Sequence, residues 1–166
     1  MDRALKTVVR KVHDLFKEKG LTLSAAESCT GGLVCHLLTS LPGASGFFEA
    51  GVVSYSADAK RRILGVSADV IRRYGVVSEQ TAKEMARKVR IVSRTDFSLS
   101  TTGNLGPDAL EGKDRGLVYI AVAGKGKTWA KELRLSGDRE ENKREAALEA
   151  LKFLIEIVER AYYAGN

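Results

Sequence analysis

Two glycine-bearing turns constrain this chain more than any other feature: Glu27-Ser28-Cys29-Thr30-Gly31-Gly32 and Thr102-Gly103-Asn104-Leu105-Gly106-Pro107-Asp108. Each follows a short run that reads as a buried strand, residues 21–26 and 97–101, and the first passes directly into an apolar helical run at 33–39. A strand that ends in such a turn and feeds a helix is the building unit of α/β proteins. The rest of the chain fits the same pattern. Ala4, Leu5, Val8, Val9, Val12, Leu15 and Phe16 recur at helical spacing, with Gly20 as a stop. A second strand is predicted over 50–55 and a short helix over 57–64, with another helix around Val70, Ile71 and Tyr74. Ser78 opens a helix whose Thr81, Met85, Val89 and Val92 line one face. Residues 108–115 read as polar loop. Residues 117–123 and 127–135 form a hairpin through Gly124-Lys125-Gly126, and a long helix runs from Ser136-Gly137-Asp138 to about Tyr162. The expected fold is a three-layer α/β/α sandwich around a mixed central sheet. In such folds ligands gather where strands end and helices begin, which is where both turns fall.

The length, 166 residues, suits one domain spanning 1–166. No apolar stretch approaches the ~20 residues of a membrane span, and the segment Met1–Lys19 is charged throughout, unlike a secretory signal. The default expectation is a cytoplasmic protein without a membrane partner. Cys29 and Cys35 lack the spacing of a redox pair or metal-ligand set, and His13 and His36 stand apart, so no metal site is expected. The net charge of +6 invites a nucleic-acid reading, but basic residues are interleaved with acids, as in Asp138-Arg139-Glu140-Glu141. Lys60-Arg61-Arg62 is the clearest dense run, and aromatic residues make up only 7%. Nucleic-acid binding concentrates positive charge and favours aromatic platforms, so a small anionic ligand is the better expectation.

Ser28 stands between a strand and a helix, where glycines allow close approach and backbone N–H groups can hold a phosphate or an oxyanion. The alternative is that Ser28 or Thr30 merely caps the helix. A serine needs a base to attack an amide. The Gly-x-Ser-x-Gly elbow is absent, Ala26 standing at its first position, and neither histidine is placed to serve. A lysine made neutral by burial and by nearby cations is the substitute, and Lys60, beside Arg61 and Arg62, follows the second strand and Tyr55. It can equally be a solvated lysine on a short helix. Thr102 and Gly103 close another strand. Arg139, at the start of the last helix, can bind a phosphate bidentately or simply lie exposed beside a capping Asp138.

Together these segments resemble the CinA carboxy-terminal domain family, which includes the nicotinamide mononucleotide deamidases. The residues that carry the resemblance are Ala26-Glu27-Ser28-Cys29-Thr30-Gly31-Gly32, Gly51-Val52-Val53-Ser54-Tyr55-Ser56 with Lys60, and Gly75-Val76-Val77-Ser78-Glu79. Thr102-Gly103 with Gly106-Pro107, the strand from Gly116, and Ser136-Gly137-Asp138-Arg139 continue it. It is similar to the stand-alone form, with no molybdopterin-binding-like domain before the first helix. The resemblance implies hydrolysis of nicotinamide mononucleotide to nicotinic acid mononucleotide and ammonia, without a cofactor. It implies Ser28 as nucleophile, Lys60 as base, and Tyr55 and Thr102 in the same pocket. It also implies substrate contacts from Thr30, Gly31, Gly32, Gly103 and Arg139, and a homo-oligomer. A non-catalytic nucleotide-binding module of the same fold is the alternative. The family usually has Ile-Ala where this chain has Asn104-Leu105, an exchange expected to alter the pocket wall. It usually has arginine at the position of Lys143.

Overall fold

The computed structural model describes residues 3–163, so Met1 and Asp2 of the first segment and the last three residues of the 1–166 span lie outside the described range. Helix α1 (Arg3–Lys19) buries Leu5, Val9, Val12 and Phe16, the stripe that its periodicity dictates. Strand β1 (Leu23–Glu27) follows and is buried at every position, as a central strand must be. Then come α2 (Leu33–Thr39), a 3₁₀ turn (Ala44–Gly46) and β2 (Phe48–Val53). The short helix α3 (Ala57–Ala59) runs into a π turn (Lys60–Leu64), and α4 (Ala68–Tyr74) and α5 (Glu79–Ser93) follow. Strands β3 (Phe97–Gly103), β4 (Leu117–Gly124) and β5 (Lys127–Arg134) lead to α6 (Arg139–Tyr163).

The sheet order is β2-β1-β3-β4-β5. β1 pairs in parallel with β2 and β3, while β3–β4 and β4–β5 are antiparallel. The sheet is mixed, as expected. One face carries α1, α2 and α6 over a core that includes Ala25, Leu99, Leu151 and Leu154. The other is covered by α5 and the π turn, with Ala26, Leu64, Val66, Met85 and Val89 between them. Helices on both faces make the three-layer α/β sandwich.

Several boundaries differ from the sequence expectation, each for a local reason. β1 begins at Leu23 because Asp96 takes both the N–H and the hydroxyl of Thr22. β2 ends at Val53, not residue 55, because the carbonyls of Ser54 and Tyr55 turn to the amine of Lys60. β3 continues through Thr102 and Gly103, which pair with Tyr119 and Val118 instead of opening a turn. A Cβ on Gly103 would stand 2.6 Å from Val118 Cγ2, so glycine here permits strand contact. Val92 does not line the buried face of α5: it is 69% exposed, at the margin of the Ala82–Met85–Ala86–Val89 stripe.

Several basic residues are matched to acids in space. Asp58 pairs with Arg61 and Arg62, Asp69 with Arg72 and Arg73, and Glu149 with Lys131 and Lys152. Among the described residues no helix is long and apolar enough to cross a membrane.

Candidate active site

The turn after β1 is organised by a residue that the sequence reading passed over. Glu27 is 1% exposed. Its carboxylate accepts from the hydroxyl of Thr30 (2.5 Å) and the N–H groups of Gly32 (3.0 Å), Val34 (3.0 Å) and Cys35 (2.8 Å). Glu27, not Ser28 or Thr30, therefore satisfies the free N–H groups at the start of α2, whose N-cap is Gly32 with no side-chain cap. The capping alternative for Ser28 and Thr30 is thus corrected. Gly31 (φ +59°) and Gly32 (φ +98°) adopt the left-handed backbone that this tight reversal needs. Thr30 is held further by a 2.7 Å contact between its hydroxyl and that of Thr101. The N–H groups of Ser28, Gly31 and Gly32 are committed to Thr101 O, Ser28 O and Glu27. Those of Cys29 and Thr30 have no oxygen acceptor among the described residues.

Successive strand side chains alternate between the two faces. Glu27 therefore faces α2, and Ser28 faces α5, where the π turn presents Lys60. Lys60 is 0% exposed. Its Nζ lies 2.8 Å from Ser28 Oγ, 2.8 Å from Ser54 O and 3.2 Å from Tyr55 O. A plain helix over 57–64 was expected; instead one α turn passes into a π turn, a distortion that recurs at functional sites. Burial brings the Lys60 amine down to about 8 from 10.5, with Cys29 and Glu111 acting in the opposite direction. The expected help from Arg61 and Arg62 is absent: both extend into solvent, paired with Asp58. Ser54 is also fully buried, and its hydroxyl has no hydrogen-bond partner among the described residues.

This amine has a consequence for stability. It is unprotonated above pH 8 when folded, yet keeps its proton up to pH 10.5 when unfolded. Over that window the unfolded state binds more protons, so stability rises with pH. The wild type is expected to gain about 3 kcal/mol relative to Lys60→Met between pH 8 and 10.5. Parallel urea melts of the two proteins check this.

The other expected residues divide. Thr102 lies on the Ser28 face of the sheet, buried, its hydroxyl donating to Val76 O (2.7 Å). Tyr55 gives its carbonyl to Lys60, while its ring is 59% exposed and its hydroxyl accepts from Arg139 Nη2 (2.8 Å). Arg139 Nη1 donates to Gly106 O. Both acceptors are neutral, and no carboxylate lies in ion-pair range of Arg139 among the described residues. Leu105 is core, and the Asn104 side chain is turned inward to the carbonyls of Asp108, Lys113 and Asp114. His13 is buried with its Nε2 2.7 Å from Leu38 O, a core role. Burial pushes the Cys29 thiol up to about 12 and raises that of Cys35 as well, so neither is a thiolate at neutral pH.

A cleft of about 480 Å³ opens beside the same turn, lined in part by Thr30, Gly31, Gly32, His36, Lys143 and Arg144. Ser28 and Lys60 are not among its lining residues. The side chain of Lys143 overlies Gly31, where a Cβ would sit 3.6 Å from its Cε. Lys143 and Arg139 are one helical turn apart on α6, so they share a face.

Fold and site together define a class: an α/β sandwich with a buried serine–lysine pair where a central strand meets a helix. The family model of the CinA C-terminal domain matches residues 5–158, and the chain belongs to this family. A relative from Caldanaerobacter subterraneus subsp. tengcongensis, named as a competence-damage inducible protein, is 42% identical over 159 residues. That match covers 95% of this chain and 38% of the relative. One of the same name from Thermoanaerobacter pseudethanolicus is 47% identical over 141 residues, 84% of this chain and 34% of the relative. The chain thus spans little more than a third of these relatives. Solved structures match at full length. The competence or damage-inducible protein from Enterobacter asburiae has a TM-score of 0.91 at 32% identity, covering 95% of this chain and 99% of that one. The competence/damage inducible protein CihA from Agrobacterium tumefaciens has 0.90 at 35%, covering 94% and 96%.

Proposed function

We propose that this chain is an amidohydrolase that converts nicotinamide mononucleotide to nicotinic acid mononucleotide and ammonia, with Ser28 as nucleophile and Lys60 as base. The observation that carries this reading is the 2.8 Å contact between a fully buried lysine amine and the serine hydroxyl. The three neighbours of Nζ suit a neutral amine. Its two N–H bonds point to the carbonyls of Ser54 and Tyr55, which leaves its lone pair for the proton of Ser28. Ser28 Oγ attacks the carboxamide carbon as that proton passes to Lys60. The tetrahedral intermediate collapses, Lys60 returns the proton to the leaving nitrogen, and ammonia departs. Water then cleaves the acyl-serine ester. The N–H groups of Cys29 and Thr30 are the ones available to the oxyanion, since those of Gly31 and Gly32 are engaged. Arg139, with neutral acceptors only, and Lys143 beside it on α6 suit the phosphate of a mononucleotide.

The test is an ammonia-release screen over pyridine nucleotides, with nicotinamide and its riboside as controls. Turnover of the mononucleotide and rejection of the riboside are the expected results. Calorimetric binding of the mononucleotide with no ammonia released would instead favour the non-catalytic binding module. The base also predicts a pH profile. As Lys60 must be unprotonated, log kcat/KM climbs with pH and levels off above about 8. A profile that is flat from pH 6 to 9 would remove Lys60 from the base role.

A further inference from the structure

The connection between β3 and β4, residues 104–116, is tied down along its length. Asn104 is 6% exposed, with its amide donating to three carbonyls of the loop and its Oδ1 accepting from Gly106 N (3.0 Å). Glu111 has φ +55°, a left-handed backbone that a side chain rarely adopts. Its carboxylate accepts from the consecutive N–H groups of Val76 (3.0 Å) and Val77 (3.3 Å). Gly75 makes room for it, because a Cβ there would stand 2.3 Å from Glu111 Oε2. Lys113 Nζ closes the contact, donating to Tyr74 O (2.7 Å) and Val77 O and lying 3.5 Å from Glu111 Oε2. Successive N–H groups converging on one carboxylate form an anion nest, filled here by the chain's own side chain.

The segment that receives Glu111 also holds the site, since Val76 O accepts the hydroxyl of Thr102 (2.7 Å), and Thr102 shares the sheet face with Ser28. The surroundings of the Lys60 amine are Ser28, the carbonyls of Ser54 and Tyr55, Cys29 and Glu111. Cys29 is uncharged at neutral pH, with its thiol pushed up to about 12 by burial. Asp58 and the arginines beside Lys60 are paired with one another on the exposed side. Glu111 acts on the amine in the direction that opposes burial, and its carboxylate is itself paired with Lys113.

We propose that Glu111 is a positioning residue and residues 104–116 a strap: docked on the N–H groups of Val76 and Val77, its carboxylate fixes the segment whose Val76 carbonyl holds Thr102 on the Ser28 face of the sheet. The role builds on the serine–lysine reading above, but its physical content can be measured without turnover. Glu111→Gln keeps an oxygen for one of the two N–H groups and turns its NH₂ group toward the other, since Val76 and Val77 donate to different carboxylate oxygens. Amide exchange at Val76 and Val77 in this variant is expected to be faster than in the wild type and slower than in Glu111→Ala. Glu111→Ala releases the strap, exposes those two amides to exchange, and lowers kcat at least about tenfold with KM little changed. Amides of Val76 and Val77 as well protected in Glu111→Ala as in the wild type would overturn the proposal. Full kcat in Glu111→Ala with the two amides exchanging freely would overturn it as well. A wild type that releases no ammonia while those two amides open in Glu111→Ala would instead reject the amidase reading and leave the strap standing.

Discussion

Ser28→Ala and Lys60→Met are each expected to lower kcat/KM by at least about a thousandfold, and the double variant by little more than either. The non-additivity follows from the geometry. The lone pair of Lys60 has no task without the serine proton, and Ser28 without the amine is an ordinary alcohol, a weak nucleophile at neutral pH. Methionine nearly matches the length of lysine and tolerates burial, so Lys60→Met tests chemistry apart from packing. It removes a desolvated amine and leaves the carbonyls of Ser54 and Tyr55 without that donor, two effects that oppose each other in stability. Circular dichroism should therefore show an intact fold in both variants. Wild-type turnover in Ser28→Ala would remove the nucleophile from the mechanism, and retention of rate in Lys60→Met would remove the base.

Glu27→Ala is expected to be the most destabilising single change near the site, by about 3 to 5 kcal/mol in urea unfolding, with activity lost as well. Its carboxylate serves three N–H groups and one hydroxyl in a place without solvent. Each buried donor left unmatched costs about 1–3 kcal/mol, and water entering the gap recovers part of the total. Glu27→Gln should fall between, because its amide oxygen can keep some of these bonds while its NH₂ group meets donors head-on. If Glu27→Ala melted with the wild type, the turn would have to be held by Gly31, Gly32 and the Thr30–Thr101 contact alone. The residue was passed over in the sequence for a clear reason. An acid at a strand end reads as the solvent-facing start of a turn, and only the closure of α2 over it shows that it points inward.

The serine and its turn were visible as a pattern of small residues, a hydroxyl and paired glycines between a strand and a helix, a pattern that by itself suits a helix cap as well as a site. Lys60 stood out in the sequence only as a substitute base, in the absence of a well-placed histidine, until the resemblance singled it out. By local pattern it was as much a surface lysine as Arg61 and Arg62 beside it, which do face solvent. The π turn separates them, and nothing in the order of residues 57–64 announces that turn. Thr102 and Gly103 look like the opening of a turn after a strand ending at 101, because glycines at 103 and 106 are typical turn residues. β4 pairs with both positions and needs glycine at 103 to come close.

Periodicity and turn chemistry by themselves determined the alternation of helices and strands, the hairpin of β4 and β5, and the strand-to-helix turns at which a ligand site was expected. Those are short-range properties, set by which side chains fall on one face within a few residues. The tertiary structure alone decided which side chains meet: a lysine from the π turn against a serine thirty-two residues earlier, and a glutamate that serves as an internal cap. It also brought the 104–116 strap onto Gly75, Val76 and Val77. Such meetings depend on sheet order and on desolvation, and both arise only when the whole chain has closed around its core.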